Sequence, residues 1–171
     1  MQEALSAISQ ALASPSLSDR ERLETIHGWS LVGLPRTRGG SWDDKKLWGC
    51  NTWLHYSPEL EICLAETVRG GYSSMHRHCG KHNLFLVLSG KLVINNQSLA
   101  ANYVLHPGES ISVHARQWHR FISLDKTVLV EVYSRAGHLP VEIGDIERQD
   151  VGGVAKDDAD LFNIGCPRGF A

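Results

Sequence analysis

The sequence predicts an all-β fold of the sandwich or small antiparallel barrel type, with a short helical extension at the N-terminus. From residue 29 onward, short runs of aliphatic, aromatic and β-branched residues alternate with turn formers. No helical pattern separates these runs, so consecutive strands are expected to pair directly with one another. The pairs Ser89-Gly90, Asn95-Asn96 and Pro107-Gly108 suit tight reversals. At 171 residues, the chain is long enough for one domain with a substantial core.

Two helices are predicted before the first strand. Apolar residues recur at helical spacing within residues 2–13, which is typical of a short amphipathic helix. Ser18 and Glu21 form a capping box that starts a second helix, and Gly28 stands where that helix is expected to end. Both helices are interpreted as packing or oligomer contacts.

Eight segments have the composition of strands. They are Trp29 to Leu34, Leu60 to Val68, Leu84 to Leu88, Lys91 to Ile94, Gln97 to Leu105, Ser110 to Val113, Trp118 to Ser123 and Thr127 to Tyr133. The chain is therefore divided into a helical extension (1–28), a β domain (29–143) and a polar, glycine-containing tail (144–171). The tail is interpreted as a closing strap or a partly disordered segment.

Charge and cysteine content exclude several classes of protein. Seventeen basic and nineteen acidic residues give a formal charge of -2 without a basic block, so nucleic-acid binding is not expected. No apolar run approaches the length of a membrane span and no targeting segment is recognised, so the cytoplasm is the simplest location. The four cysteines form no Cys-x-x-Cys pair and are expected to be reduced.

Three of the nine histidines lie within seven residues and point to a metal site. His76 and His78 are two residues apart, so on an extended strand both side chains point to the same face and can bind one ion. His82 or Asn83 is a candidate for the third ligand. The best candidate for a ligand from elsewhere in the chain is His119.

This stretch resembles the first motif of the cupin superfamily, Gly-x5-His-x-His-x3or4-Glu-x6-Gly. Gly71, His76, His78 and Gly90 match the motif, with four rather than five residues between Gly71 and His76. Asn83 occupies the position of the glutamate. The resemblance implies a small antiparallel barrel of the jelly-roll type.

A second segment resembles the second cupin motif, Gly-x5-Pro-x-Gly-x2-His-x3-Asn. Gly108 and His119 fall at the motif spacing. His114, Arg116 and Ser123 replace its proline, second glycine and asparagine. The two half-motifs stand in the expected order, which makes the likeness far more specific than an isolated His-x-His.

The cupin resemblance implies one divalent transition metal. Some small cupins use a His-x-His-x3-His triplet with a later histidine, and His76, His78, His82 and His119 fit that variant, with Asn83 as the alternative to His82. Imidazole ligands suit Zn, Fe, Ni and Cu and, less strongly, Mn, so the metal is left open. Neutral ligands leave the full charge on the ion, which favours a small-molecule substrate with anionic or enolizable oxygens.

The second half also resembles the cupin domain of type II phosphomannose isomerases. The similar segments are residues 107–110, 117–121, 128–132 and 144–148, in the same order as in that domain. The resemblance implies a carbohydrate-type substrate. A metal-dependent enzyme that isomerises a sugar or sugar phosphate, or performs a related proton transfer, is the first functional hypothesis.

The candidate general bases for such a proton transfer are Glu131, Glu66 and His114. Two other functions stay open at this stage. One is an Fe(II)-dependent dioxygenase that cleaves an enolizable substrate, and the other is a non-catalytic small-molecule-binding protein. A homodimer is expected from the family resemblance alone.

Three basic residues are candidates for binding an anionic substrate group such as a phosphate. They are Arg77, Lys81 and Arg120.

Overall fold

A computed structural model describes residues 43–167 and residue 169. The predicted helices of residues 1–28 and the predicted strand from Trp29 to Leu34 lie outside the described residues. The described part contains thirteen strands, one short 3-10 helix and one α-helix. In chain order they are β1 (Asp43–Lys46), β2 (Gly49–Tyr56), β3 (Leu60–Thr67), β4 (Gly71–Tyr72), β5 (His76–Arg77), β6 (Lys81–Ser89), β7 (Leu92–Asn96), the 3-10 helix (Gln97–Leu99), β8 (Ala101–Leu105), β9 (Ser110–Val113), β10 (His119–Ser123), β11 (Thr127–Arg135), β12 (Glu147–Arg148), β13 (Gly153–Val154) and α1 (Asp158–Asn163).

The strands form two antiparallel sheets that face each other. Sheet I has six strands in the order β1-β2-β3-β11-β6-β9. Sheet II contains the order β12-β5-β10-β4-β13, and β7 pairs with both β10 and β8. After β3 the chain passes back and forth between the two sheets, which is the arrangement of a jelly roll. The predicted all-β antiparallel fold is confirmed.

An apolar core lies between the two sheets. Phe85 and Leu129 of sheet I pack with Ile94 and Phe121 of sheet II, and each is at most 2% exposed. Along β6 and β11, buried and partly buried residues alternate, as strands covered on one face require. Burial of each such side chain stabilises the fold by roughly 1.5 to 3 kcal/mol.

Two of the predicted turns are present at their glycines. Gly90 and Gly108 have φ values of +83° and +87°, in the region that favours glycine. A Cβ at Gly90 would lie 2.4 Å from the carbonyl oxygen of Lys126, so a side chain there is excluded by backbone as well as by φ. The turn at Gly90 follows the end of β6, and the turn at Gly108 precedes the start of β9.

The prediction of a reversal at Asn95-Asn96 was wrong. Both residues lie in β7, and the chain reverses over residues 97–100, where Ala100 has φ +51°. Asn96 instead caps the 3-10 helix, since its side chain accepts a hydrogen bond from the Leu99 N–H at 3.2 Å. Asparagine does stand next to a reversal here, as its preference for turns and caps suggests, but the reversal begins about two residues later than predicted.

Residues 144–167, predicted as a tail, lie against sheet II. They supply β12 and β13 as its outer strands, and α1 packs through Leu161 against Val93 and Ile122 on the outer face. Asp157 caps α1 by accepting a hydrogen bond from the Asp160 N–H at 2.9 Å.

All four cysteines are free thiols, as predicted from their spacing. Within the described residues, no helix has the length and apolar character needed to cross a lipid bilayer.

Candidate metal centre

Three of the predicted ligands converge between the two sheets, next to the apolar core, where the His119 ring lies 5.9 Å from the Phe85 ring between centroids. His76 on β5 and His119 on β10 are paired residues of adjacent strands, and His78 follows His76 by two positions. One ring nitrogen from each histidine lies within 4.8 Å of the others. The ring centroids are 4.5 Å apart for His76 and His119 and 5.0 Å apart for His76 and His78. We refer to these three residues as the histidine cluster.

Backbone carbonyls orient all three rings of the histidine cluster. The His76 Nδ1 lies 2.7 Å from the carbonyl oxygen of Ser74. The His78 Nδ1 lies 2.5 Å from that of Asp145, and the His119 Nδ1 lies 2.9 Å from that of Gln117. A carbonyl oxygen can only accept, so each Nδ1 carries the hydrogen and each Nε2 keeps a lone pair. The Nε2 atoms of His78 and His119 are buried and have no hydrogen-bond partner among the described residues.

The cluster is uncharged at neutral pH. Burial lowers the pKa of His78 to about 3, with the charge of Lys81 adding to the effect, and burial lowers the pKa of His119 to about 4. The pKa of His76 is held well below its usual range by burial and by the other two histidines. Neutral imidazoles with fixed Nδ1 partners are the donor set of a transition-metal site, and the buried Nε2 atoms of His78 and His119 lack a hydrogen-bond partner among the described residues. The residues therefore fit a divalent ion.

The stability of the metal-free protein is expected to fall on acidification. In the unfolded chain His78 and His119 take up protons below a pKa near 6.5, whereas in the folded protein they stay neutral to about 3 and 4. The unfolded state therefore binds more protons below pH 6.5 and is favoured there, by about 2 kcal/mol for each histidine at pH 5. Urea unfolding of chelator-treated protein at pH 7, 6 and 5 measures this loss. In a variant with both residues replaced by asparagine, the free energy of unfolding should depend less on pH than in wild type. A wild-type free energy of unfolding that does not change between pH 7 and 5 would contradict the prediction.

The structure does not bring His82 into the histidine cluster. β6 begins at Lys81, and alternation along the strand turns Lys81 and Asn83 inward, at 2% and 1% exposure, and His82 outward. The His82 Nδ1 accepts a hydrogen bond from the Ala115 N–H at 3.0 Å, and its ring packs against His114 with centroids 5.3 Å apart. The expected fourth ligand thus lies on the opposite face of the sheet.

Asn83, the alternative ligand, is placed in the interior instead. Its Nδ2 donates to the Glu131 Oε2 at 3.0 Å, and its Oδ1 is buried without a partner among the described residues. Asn83 is paired across the sheet with Tyr133, whose ring contacts His78 with centroids 5.2 Å apart. A buried acceptor without a donor is costly, so the Asn83 Oδ1 is suited to a metal ion or a substrate hydroxyl.

Replacement of His82 by alanine is expected to leave the affinity for metal within about twofold of wild type, because the side chain points away from the cluster. Replacement of Asn83 by alanine should lower the affinity about tenfold or more, as is usual when a group that supports a metal site is removed. Competition with a chromophoric chelator measures both constants. Loss of metal from the His82→Ala protein alone would contradict this placement.

A buried carboxylate from sheet I is linked to the histidine cluster through Tyr133, whose ring contacts His78. Glu131 is 3% exposed, and its Oε2 accepts hydrogen bonds from Asn83 at 3.0 Å and from the Tyr133 hydroxyl at 2.8 Å. Burial raises the pKa of Glu131, while the two hydrogen bonds act in the opposite direction. Of the three predicted bases, this one faces the interior.

The other two predicted bases are exposed. Glu66 lies on the outward-facing side of β3, and His114 lies in the loop after β9 against His82. The structure therefore does not bring Glu66 or His114 to the histidine cluster.

Lys81 faces the interior but its charge is already compensated. Its Nζ donates to the Glu61 Oε2 at 2.9 Å and to the Glu142 carbonyl at 2.9 Å, and lies 4.4 Å from the centroid of the Tyr133 ring. Glu61 also accepts a hydrogen bond from the Trp53 indole at 2.9 Å. Lys81 is therefore part of a buried ion pair whose charges compensate each other. If the Lys81 ammonium group bound a phosphate instead, the buried Glu61 carboxylate would lose its compensating charge.

The two arginines predicted to bind an anion lie on the outer side of sheet II. Arg77 pairs with Glu147 at 2.7 Å and stacks over Trp118, and Arg120 pairs with Asp150. Because Arg77 and Arg120 immediately follow the inward-facing His76 and His119 on their strands, alternation turns both away from the interior.

The roles of Tyr133 and Asp145 were not predicted from the sequence. Tyr133 shares the inner face of β11 with Glu131. In the sequence, the one feature that could have pointed to this face is Glu131 itself, a carboxylate that interrupts the apolar run from Val128 to Val132. Asp145 acts through its carbonyl oxygen, which any residue type could supply, so its identity carries no signal for that contact.

The fold and site together define a jelly-roll barrel with a buried histidine cluster between its sheets. Residues 64–133 match the family model described as Cupin domain. The matched segment includes both of the cupin-like motifs recognised in the sequence. No curated protein matches the chain.

Solved structures of other proteins share the fold at low sequence identity. KdgF from Halomonas sp. is 16% identical with a TM-score of 0.51, covering 56% of this chain and 88% of its own. An RmlC-like cupin from Shewanella frigidimarina is 20% identical with a TM-score of 0.50, covering 56% and 84%. The Streptomyces nucleoside dehydratase Pac13 is 13% identical with a TM-score of 0.54, covering 64% and 84%.

Proposed function

We propose that this cupin is a metal-dependent enzyme that transfers a proton on a small, carbohydrate-type substrate. Isomerisation of a sugar or sugar phosphate and the related dehydration of a hydroxylated sugar ring are the reactions considered. The proposal depends on one observation: Tyr133 contacts both the histidine cluster of sheet II and the buried Glu131 carboxylate of sheet I. The Tyr133 ring packs against His78, and the Tyr133 hydroxyl donates to Glu131, so Tyr133 connects the two groups.

The three histidines would hold the ion through their Nε2 atoms. A divalent ion there would polarise a substrate oxygen and make a neighbouring C–H bond more acidic. Glu131 would take up that proton and return it at a second position. Asn83 and Tyr133 hold its Oε2, which leaves Oε1 as the atom that accepts the proton. A carboxylate whose pKa is raised by burial is a stronger base at neutral pH than an exposed one.

Charge favours substrates that bring hydroxyl or enolizable oxygens rather than a strongly charged group. Lys81, Arg77 and Arg120 are each paired with a carboxylate, so no arginine or lysine named for phosphate binding is free for it. The buried Asn83 Oδ1, which has no hydrogen-bond partner among the described residues, is an acceptor that suits a sugar hydroxyl.

The test uses protein loaded separately with Zn, Mn, Fe(II), Ni and Cu and incubated in deuterium oxide with aldoses, ketoses, sugar phosphates and nucleosides. Proton transfer predicts deuterium incorporation at one carbon or formation of an isomer or dehydrated product, read by NMR. Neither binding nor exchange with any member of the panel would overturn the proposal. Oxygen consumption by the Fe(II) form would instead favour a dioxygenase, and binding without exchange or turnover would favour a non-catalytic protein.

A further inference from the structure

Residues 145–150, which we call the strap, run beside the segment that carries His76 and His78. Within the strap, β12 pairs with β5, placing Glu147 opposite Arg77 and Arg148 opposite His76. β5 is only two residues long, and its other neighbour is β10. The strap therefore supplies one of the two sides from which this short ligand-bearing strand is held.

One end of the strap holds the chain immediately after the second ligand. The carbonyl oxygen of Asp145 accepts the hydrogen of His78 Nδ1 at 2.5 Å. The carboxylate of the same residue accepts hydrogen bonds from the N–H groups of Cys79 at 2.9 Å and Gly80 at 2.7 Å. A single residue thus sets both the ring orientation of His78 and the path of the backbone that follows it.

The other end of the strap holds the chain immediately before the first ligand. The Met75 N–H donates to the Asp150 Oδ1 at 2.6 Å, and the Gln149 N–H donates to the Met75 carbonyl at 2.9 Å. Asp150 also accepts from the buried guanidinium of Arg120. The strap therefore brackets the His-x-His segment on both sides.

We infer that the strap is a component of the metal site and that Asp145 is a positioning residue for His78, an inference that rests on metal binding as proposed above. The carboxylate anchors Asp145 to the turn it faces, and this anchoring presents its carbonyl to the ring. Groups that orient a ligating histidine typically change metal affinity 10- to 100-fold when removed. Because coupling between two equilibria is reciprocal, bound metal must in turn stabilise the docked strap.

The first test compares zinc affinities by competition with a chromophoric chelator. Asp145→Ala removes both anchoring hydrogen bonds and is expected to weaken zinc binding about 10- to 100-fold. Asp145→Asn keeps one acceptor and should restore part of the affinity. Glu147→Gln is the matched control, because Glu147 lies in the same strap and its carboxylate pairs with the half-buried Arg77 rather than with the segment around His78. This control should bind zinc within about twofold of wild type.

The second test follows amide hydrogen exchange of the wild-type chain with and without zinc. Zinc is expected to slow exchange of the strap amides while leaving the remote β8 unchanged. The absorption spectrum of the Co(II) form should also change in Asp145→Ala, which a purely structural role would not produce. The inference would be overturned if Asp145→Ala bound zinc with wild-type affinity, or if zinc did not change the hydrogen-exchange rates of the strap amides. Either result would leave the proposed function intact. If wild-type protein binds no metal, the proposed function itself fails and the inference with it.

Discussion

Replacing His76 and His119 together by alanine is expected to abolish specific metal binding, lowering the affinity by more than about a thousandfold. Two of the three donors are removed, and the remaining imidazole is an ordinary monodentate ligand. Both residues are buried and lie on paired strands, so no neighbouring side chain can replace them without moving the sheet. Elemental analysis of the purified proteins gives the occupancy directly.

Thermal unfolding provides an independent measure of the same loss. Metal at about one hundred times its dissociation constant stabilises a folded protein by about 2.7 kcal/mol, so added metal should raise the Tm of wild type and leave that of the double variant unchanged. His114→Ala is the control, since that exposed residue lies against His82 and outside the cluster. Undiminished metal in the double variant would refute the site assignment.

Replacing Glu131 by glutamine is expected to reduce kcat by about a hundredfold to ten-thousandfold while metal content stays at the wild-type level. Removal of a general base typically has this effect on rate. The glutamine oxygen can still accept the hydrogen bonds of Asn83 and Tyr133, so the local geometry is preserved. Turnover of the substrate identified in the panel and deuterium exchange at its acidic carbon are the measurements.

The matched control is Glu66→Gln on the outer side of β3, which should retain full turnover. Folding of Glu131→Gln is checked by urea unfolding, and little loss is expected because a neutral amide is cheaper to bury than a carboxylate. A Glu131→Gln protein with wild-type kcat and intact metal would exclude Glu131 as the base.

Much of the fold was predictable because most strands have a recognisable composition of aliphatic, aromatic and β-branched residues between turn formers. The segment Ser110–Val113 was predicted with its observed bounds, and Leu60 to Val68 differs from β3 by one residue. β2 was not predicted, because Gly49–Tyr56 mixes polar and apolar residues without alternation. It becomes a strand through pairing with β3, an interaction that its own composition does not encode.

The choice between His82 and Asn83 shows where a local pattern stops being sufficient. Adjacent residues on a strand point to opposite faces, so the answer depends on which face of β6 is turned inward. The buried partners of Lys81 and Asn83, which are Glu61 and Glu131, lie on other strands and determine that face. The spacing of histidines alone was compatible with either ligand.

The sequence by itself determined the class of fold, the pair His76 and His78 on one face, and the later His119, because these follow from strand periodicity and motif spacing. Only the tertiary structure decided which groups surround them. The Asn83–Glu131 and His78–Asp145 contacts join residues 48 and 67 positions apart. Contacts at such separations depend on how the two sheets and the strap pack, which no local pattern of residues specifies.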